Sequence, residues 1–466
     1  MNRRRLIASA LGFAAAGGLG ARAAAQPLPA PPLADLTVTA AIRGSIDASE
    51  FGVWPDALDD QSRAFRRMLE KAAERDAPVF LPPGTYTLSN IRLPRNVRLA
   101  GIPGASRIAY GGDGYLFAAE DAATVELTGL TFDGVNRPFG REAQALVEMR
   151  GVDSFVMDRC EVVGSGGSGV VLERVSGRVE RSTIAGAASY ALYCVEAGRM
   201  DIAGNHVRDC GEGGILVHRW RKAGDGALVS GNRVERIGAR SGGTGQYGNG
   251  INVFRAGNVI VSNNHVADCA FSAIRANSAD NVQILGNQCL RSGETAIFSE
   301  FAFEGAVISA NLVDGAANGI SIANLDHGGR LAACTGNVVR NLVDRPPYEP
   351  YAPDVAAAFG TGIAVEADAA LTGNVVDGAP RCGFLIGWGP FLRNVAATGN
   401  VVRAAREGFA VSVVEGAGSA VIADNVIDGA ERAIVGYRWG DAVTGDLAAG
   451  AAGAFRHLRV EKNLVS

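Results

Sequence analysis

Apolar residues return along this chain in two short alternating phrases. The first is Gly-Ile-x-Val, read at Gly214-Ile215, Gly250-Ile251, Gly319-Ile320 and Gly362-Ile363. Variants follow at Ala273-Ile274, Ala296-Ile297, Gly383-Phe384, Gly408-Phe409 and Ala433-Ile434. Such alternation predicts a strand with Ile and Val facing inward and the residues at Ile+1 and Ile+3 facing outward. The second phrase, Gly-Asn-x-Val, appears at Gly204-Asn205, Gly231-Asn232, Gly286-Asn287, Gly336-Asn337, Gly373-Asn374 and Gly399-Asn400. Looser copies lie at Asn263-Asn264, Ala310-Asn311, Asp424-Asn425 and Lys462-Asn463. The pair repeats roughly every 23 residues. A fixed period of that length, built on short strands, predicts a solenoid with one coil per repeat.

Ahead of the repeats the period changes. Phe65, Met68, Leu69, Ala72 and Ala73 fall on one helical face, behind Asp59-Asp60 as a start signal. A solenoid exposes its apolar interior at each end, so this helix is assigned as a cap. The first residues, Asn2-Arg3-Arg4-Arg5-Leu6-Ile7 and an Ala/Gly-rich run ending at Ala23-Ala24-Ala25, form a twin-arginine signal peptide. The predicted organisation is therefore a signal over 1–25, a Pro-rich leader and N-terminal extension over 26–55, a cap helix over 56–78 and a parallel solenoid over 79–466. The signal implies the twin-arginine export machinery as a partner and a periplasmic or secreted location. No later run is long and apolar enough for a stable membrane span.

Composition agrees with stacked short strands: 62 glycines and 7% aromatic residues leave little material for long helices. A net charge of −4 gives no electrostatic footprint for nucleic acid. Seven cysteines form neither a CxxC nor a metal-ligand spacing. Cys210 and Cys269 hold the same place two coils apart, about 10 Å at ~4.8 Å per coil, which no disulfide spans. The cysteines are read as small buried hydrophobes. His206 and His265 are likewise two coils apart and cannot share a metal. Asp326-His327 is read as a solvated turn. No cofactor is expected.

The acidic-capped helix followed by Pro82-Pro83-Gly84-Thr85-Tyr86 at the strand entry makes residues 56–101 specific. This segment resembles the N-terminal part of the pectate-lyase-like, right-handed parallel β-helix superfamily. The twin-arginine start joined to the Gly-Asn-x-Val array resembles, over nearly the whole chain, a family of twin-arginine-exported repeat proteins with no assigned activity. The resemblance implies coils of three strands each, and the repeats are read as about twelve coils of an all-β, right-handed parallel β-helix. It puts the Gly-Asn phrase in a turn between the second and third strands, where Asn tolerates left-handed backbone and stacks its amide on the Asn above. The motif sets of the polygalacturonase-like hydrolases and the mannuronan epimerases are missing.

The outward positions of the first strand supply candidate chemistry. Early coils show Val171, Glu173, Tyr193, Val195, Leu216 and His218. Middle coils show Asn252, Phe254, Arg275, Asn277, Phe298, Glu300, Ser321 and Glu366. Two insertions point to the same region. The spacing from Asn to the next Ile, normally about ten, reaches 19 from Asn232 to Ile251 and 26 from Asn337 to Ile363. Those loops carry Tyr247, Tyr348 and Tyr351, while Trp220, Trp388 and Trp439 follow the first strand on the other edge. An elongated face walled by loops and aromatic rings suits a polysaccharide.

Glu300 and Glu366, two coils apart, are candidates for the spaced carboxyls of an inverting glycosidase. Arg275 with Asn277 and His218 is the alternative set, for β-elimination from a uronate. Arg275, Glu300 and Glu366 are thus the catalytic candidates. His218, Asn252, Phe254, Asn277, Phe298, Trp220 and Trp388 are the substrate-binding ones. A salt bridge between Arg275 and Glu300 across neighbouring coils is the purely structural alternative. Three functional readings stay open: a lyase or hydrolase of an acidic glycan, a non-catalytic binding protein, and a structural repeat protein.

Overall fold

The computed structural model describes residues 44–242, 245–345 and 358–466. The segments read as a signal peptide and, for the most part, as a leader lie outside the described residues, as do Tyr348 and Tyr351. The described chain is a right-handed parallel β-helix. Each coil contributes three strands, for example Tyr190–Val195, Gly198–Ala203 and His206–Cys210. The second strands form a sheet of 16, one for each pass of the chain, and the stack makes about 14 full turns. That exceeds the predicted twelve because the coils between Val79 and Val163 lack the Gly-Asn phrase. First and third strands join into one 28-stranded sheet, since Val375–Ile386 and Val401–Ser412 run around the corner without a break.

The register bears out the inward and outward assignment. Ile215, Ile251, Ile274, Ile297, Ile320, Ile363, Phe384, Phe409 and Ile434 stack in one buried column. The glycine before each Ile serves packing. At Gly214 a Cβ would lie 2.2 Å from the Gly250 carbonyl oxygen, and at Gly362 2.3 Å from that of Gly383. Only the smallest residues fit this corner, and Ala273, Ala296 and Ala433 occupy it elsewhere, buried.

The asparagines build a continuous ladder. Asn205, Asn232, Asn264, Asn287, Asn311, Asn337, Asn374, Asn400 and Asn425 each donate an Nδ2 proton to the Oδ1 of the next, ending at Asn463, with distances of 2.9–3.0 Å. The second Nδ2 proton goes to a second-strand carbonyl, as from Asn337 to Ile308 at 3.0 Å. One expectation is corrected. The left-handed residue is the one before the Asn, at φ 64° for Gly204, 56° for Ala310 and 54° for Lys462. The Asn itself must point its amide into the interior, so the turn's positive φ falls one residue earlier.

The helix α1 (Ser62–Glu74) lies inside the predicted 56–78 span and is shorter than it, with Asp60 Oδ1 accepting from the Ser62 N–H at 2.7 Å. It buries Phe65, Met68, Leu69 and Ala72, and the Phe65 ring meets Phe117 at 5.9 Å. Ala73 falls at the edge of the buried face. Within the N-terminal extension, Ile46–Asp47 already pairs with Val79–Phe80 as the first rung of the second-strand sheet. The seven cysteines are unpaired and buried, as read from their spacing. Burial pushes the Cys160 thiol up to about 12.

On the third strand the outward charges alternate in register: Asp314, Arg340, Asp377, Arg403 and Asp428. Similar pairs precede them, and the hydrogen bonds from Arg236 hold the Asp209 carboxyl down at about 2. Asn341 and Arg340 lower Asp314, and Arg393 lowers Asp368. Carboxyls held below their ordinary value contribute stability at neutral pH and lose it as pH falls through the folded value. Thermal melts should therefore fall between about pH 4 and pH 2. The loss should be smaller in high salt, since these pairs are exposed. A melting temperature flat across that interval would show the charges to be independent of folding.

Candidate functional site

The outward rows of the first strand stand side by side as read from the sequence. Leu216, Asn252, Arg275, Phe298, Ser321, Ala364 and Leu385 are register neighbours, as are His218, Phe254, Asn277 and Glu300. The chain enters this strand through a corner where two successive residues face inward. A third outward row therefore exists, two residues before the Ile: Tyr190 pairs with Gly213 and then Asn249. Reading only Ile+1 and Ile+3 leaves this row out.

Three rows and the loop after Ile237 enclose a cleft of about 430 Å³. Tyr190, Tyr193, Tyr247 and Phe254 supply its aromatic walls, and His218, Asn252, Arg275 and Asn277 its polar floor. The His218 ring is wedged edge-on between Tyr193 at 5.1 Å and Phe254 at 5.5 Å. Tyr190 packs on Tyr193 at 5.6 Å, and the Arg255 guanidinium backs Phe254 at 4.6 Å. These contacts fix the rings before any ligand arrives, which lowers the cost of binding.

Two polar atoms in this cleft lack a partner. His218 Nε2 and Asn252 Oδ1 are both shielded from solvent and make no hydrogen bond, and the Asn252 side chain is only 5% exposed. Burial pushes the His218 imidazole down to about 4, so it is neutral at physiological pH. Orphaned buried polar atoms cost stability, and their clustering in a cleft marks a place built for something other than folding.

The catalytic candidates are engaged otherwise. Arg275, 9% exposed, directs its guanidinium at Glu300, 4% exposed, and Asn277 Nδ2 donates to Glu300 Oε1 at 3.0 Å. The salt bridge between neighbouring coils is thus present, buried beneath the cleft. Burial raises the Glu300 carboxyl above its ordinary value, against the lowering pull of Arg275 and Asn277. Glu366 belongs to another neighbourhood. Its Oε2 accepts the backbone N–H groups of Asn324 at 2.8 Å and Leu325 at 2.6 Å, tying down the short 3-10 turn Leu325–His327. Neither carboxylate is among the residues lining the His218–Asn252 cleft.

Glu366 and Trp388 instead line a second, more apolar hollow of about 220 Å³, with Ser321, Ala364, Leu385 and Arg381. Trp388 meets Trp439 edge-on at 5.9 Å. Phe298 stands between the hollows, with the Arg275 guanidinium 5.7 Å from its ring centre. Trp220 lies apart. It sits on an excursion of the strand Gly213–Gly224, 55% exposed, its backbone N–H donating to Glu196 Oε1 at 2.6 Å. Of the predicted residues, His218, Asn252, Phe254, Arg275 and Asn277 come together in one place.

Glu212 completes the picture, and no repeat phrase or outward position singles it out. It is 7% exposed behind the tyrosines, with Oε1 taking the Ser241 N–H at 2.9 Å and hydroxyl at 2.7 Å. Its Oε2 is buried without a partner, and no Lys or Arg pairs with it among the described residues. Burial, then the neighbouring tyrosines and Glu212, raise the Tyr190 phenol to about 12. Among the described residues no cluster of three or more His, Cys, Asp or Glu could hold a metal, and no helix is long and apolar enough to cross a membrane.

Residues 145–335 match the family model of the right-handed β-helix region. Among solved structures, the pre-mature bacteriophage phi29 gene product 12 superposes with a TM-score of 0.52 at 16% identity, covering 89% of this chain and 60% of that one. The chain therefore spans about three-fifths of that protein's length. The A-module of Azotobacter vinelandii mannuronan C-5 epimerase AlgE6 gives 0.38 at 14% identity, covering 91% and 99%. The Streptococcus pneumoniae surface adhesin PfbA gives 0.47 at 12%, covering 80% and 93%. No curated protein sequence matches. The phi29 likeness is one of fold, and the family match over residues 145–335 agrees with the right-handed parallel β-helix seen in the coordinates.

Proposed function

We propose that this protein binds a saccharide chain along the outward face of its first strands, with the His218–Asn252 cleft as the principal subsite. One observation carries the reading: a single cleft joins preset aromatic faces to two buried polar atoms without partners. Ring faces stack on the C–H face of a sugar, and orphaned acceptors or donors take its hydroxyls. The second hollow, beside Trp388, lies three to five coils further along the same face, about 15–25 Å at the spacing of parallel strands. That distance suits a chain of several sugar units.

Binding is favoured over cleavage, because Glu300 is held by Arg275 and Asn277 and Glu366 by backbone N–H groups. The proposal includes export by the twin-arginine route, which would place the face in the periplasm or outside the cell. The test is affinity electrophoresis of the mature protein in gels cast with neutral and acidic polysaccharides, with mass spectrometry of each incubated polymer. Retardation without new fragments is expected. Unsaturated fragments would establish a lyase instead, and water-added fragments a hydrolase. Mobility unchanged by every polymer would overturn the reading.

A further inference from the structure

We infer that the His218–Asn252 cleft takes an uncharged, hydroxyl-bearing sugar ring and discriminates against a uronate. The inference rests on the saccharide reading above and deepens it. It departs from the acidic glycan expected from the sequence.

The charge balance of the cleft is the first argument. Arg275 is the one cation among the residues lining it, and its charge is already matched by Glu300 directly beneath. The guanidinium turns Nε and Nη2 toward that carboxylate. The remaining Nη1 is covered by the loop: a Cβ placed on Gly245 would lie 2.3 Å from it. A uronate carboxylate entering here finds no free guanidinium fork. It would meet Glu300 just beyond the guanidinium, and behind Tyr190 it would meet Glu212, with which no Lys or Arg pairs among the described residues. Like charges in a partly desolvated site repel strongly.

The polar atoms that do lack partners are the second argument. Asn252 Oδ1 is a pure acceptor, and an acceptor calls for a hydroxyl, not a carboxylate. His218, neutral at physiological pH, can accept at Nε2 or donate from it according to tautomer, which again suits a hydroxyl. Its neutrality also removes the other cation that could have drawn an anion into the cleft. The four aromatic residues provide C–H contact without charge.

The register shows that these two polar side chains are not required by the coil. Leu216 fills Asn252's place one coil earlier, and Val195 fills His218's place. Two variants follow, Asn252→Leu and His218→Phe. Each should weaken neutral-sugar binding about tenfold, the loss of one well-made hydrogen bond in a closed site. Each should also leave the melting temperature of the unliganded protein equal or higher, because an orphaned polar group has been replaced by an apolar one. A purely structural role predicts the reverse.

The experiment measures binding by calorimetry to matched chains that differ at C6: galactan against polygalacturonate, mannan against mannuronan, glucan against glucuronan. The expected result is one neutral chain bound at least tenfold more tightly than its carboxylated counterpart, with the gap narrowed in Glu212→Gln. A uronate chain bound as tightly as its neutral partner would overturn the charge argument while leaving the saccharide reading standing. Binding unchanged in both variants, with a lowered melting temperature, would overturn the assignment of the two anchors. Failure of all six polymers would remove the saccharide reading, and this inference with it.

Discussion

Asn337→Leu should cost this fold about 3–5 kcal/mol, the sum of two or three buried polar groups left without partners. Asn337 is fully buried in the middle of the ladder, with Oδ1 accepting from both the backbone N–H and the amide of Asn311. Leucine removes that acceptor, orphaning two donors at once, and also strips the Ile308 carbonyl of its bond. The Asn374 oxygen fares better, since the backbone N–H of residue 337 still reaches it. Urea denaturation followed by circular dichroism is the check. Asn463→Leu is the comparison, because it removes the same three bonds, from the Asn425 N–H and amide and to the Ile422 carbonyl, at a half-buried last rung where water can replace them. A loss at Asn463 as large as that at Asn337 would show that ladder position does not matter.

Arg275→Met carries the second large effect, again about 3–5 kcal/mol, because Glu300 would be left buried and unpaired. The double variant Arg275→Met/Glu300→Leu should recover most of that loss, since two apolar side chains can fill the space without desolvating a charge. A double-mutant cycle with additive effects would mean the pair is not coupled. The pH dependence has a fixed sign. Glu300 is raised in the fold, so its contribution is fully present below the ordinary Glu value of about 4.3 and is lost as pH rises through the folded value. The deficit of Arg275→Met should thus be smaller at about pH 4 than at pH 8.

Much of the fold was legible because its physics is periodic. The Ile and Val of one phrase and the Asn of the other answer to neighbours one coil away, so each repeat states the same constraint again. The coils between Val79 and Val163 were harder to count because they reach the same geometry without the asparagine. The ladder begins only at Ser182, whose N–H is accepted by Asn205. The candidate site was legible in part for the same reason. Asn252, Arg275 and Asn277 follow from the register. Tyr190 required knowing that the corner turns two consecutive residues inward. Glu212 required knowing which acids find a cation, a three-dimensional fact. The pairing of Arg275 with Glu300 was visible as an alternative, but its burial was not.

The ladder has one more property. In a parallel sheet the carbonyls of successive residues point up and down the stack in turn, so their dipoles largely cancel. The ladder amides do not alternate. Every Asn from 205 to 425 donates toward the next coil and accepts from the one before. Each amide carries a dipole comparable to a peptide unit, and stacked head to tail they add. The corner of this solenoid is therefore a polar wire, partly negative at the Ser182 coil and partly positive at the Asn463 coil. The two ends of the ladder are thereby made electrically different, the negative one inside the stack, next to the coils of residues 79–163, and the positive one at the C-terminal coil.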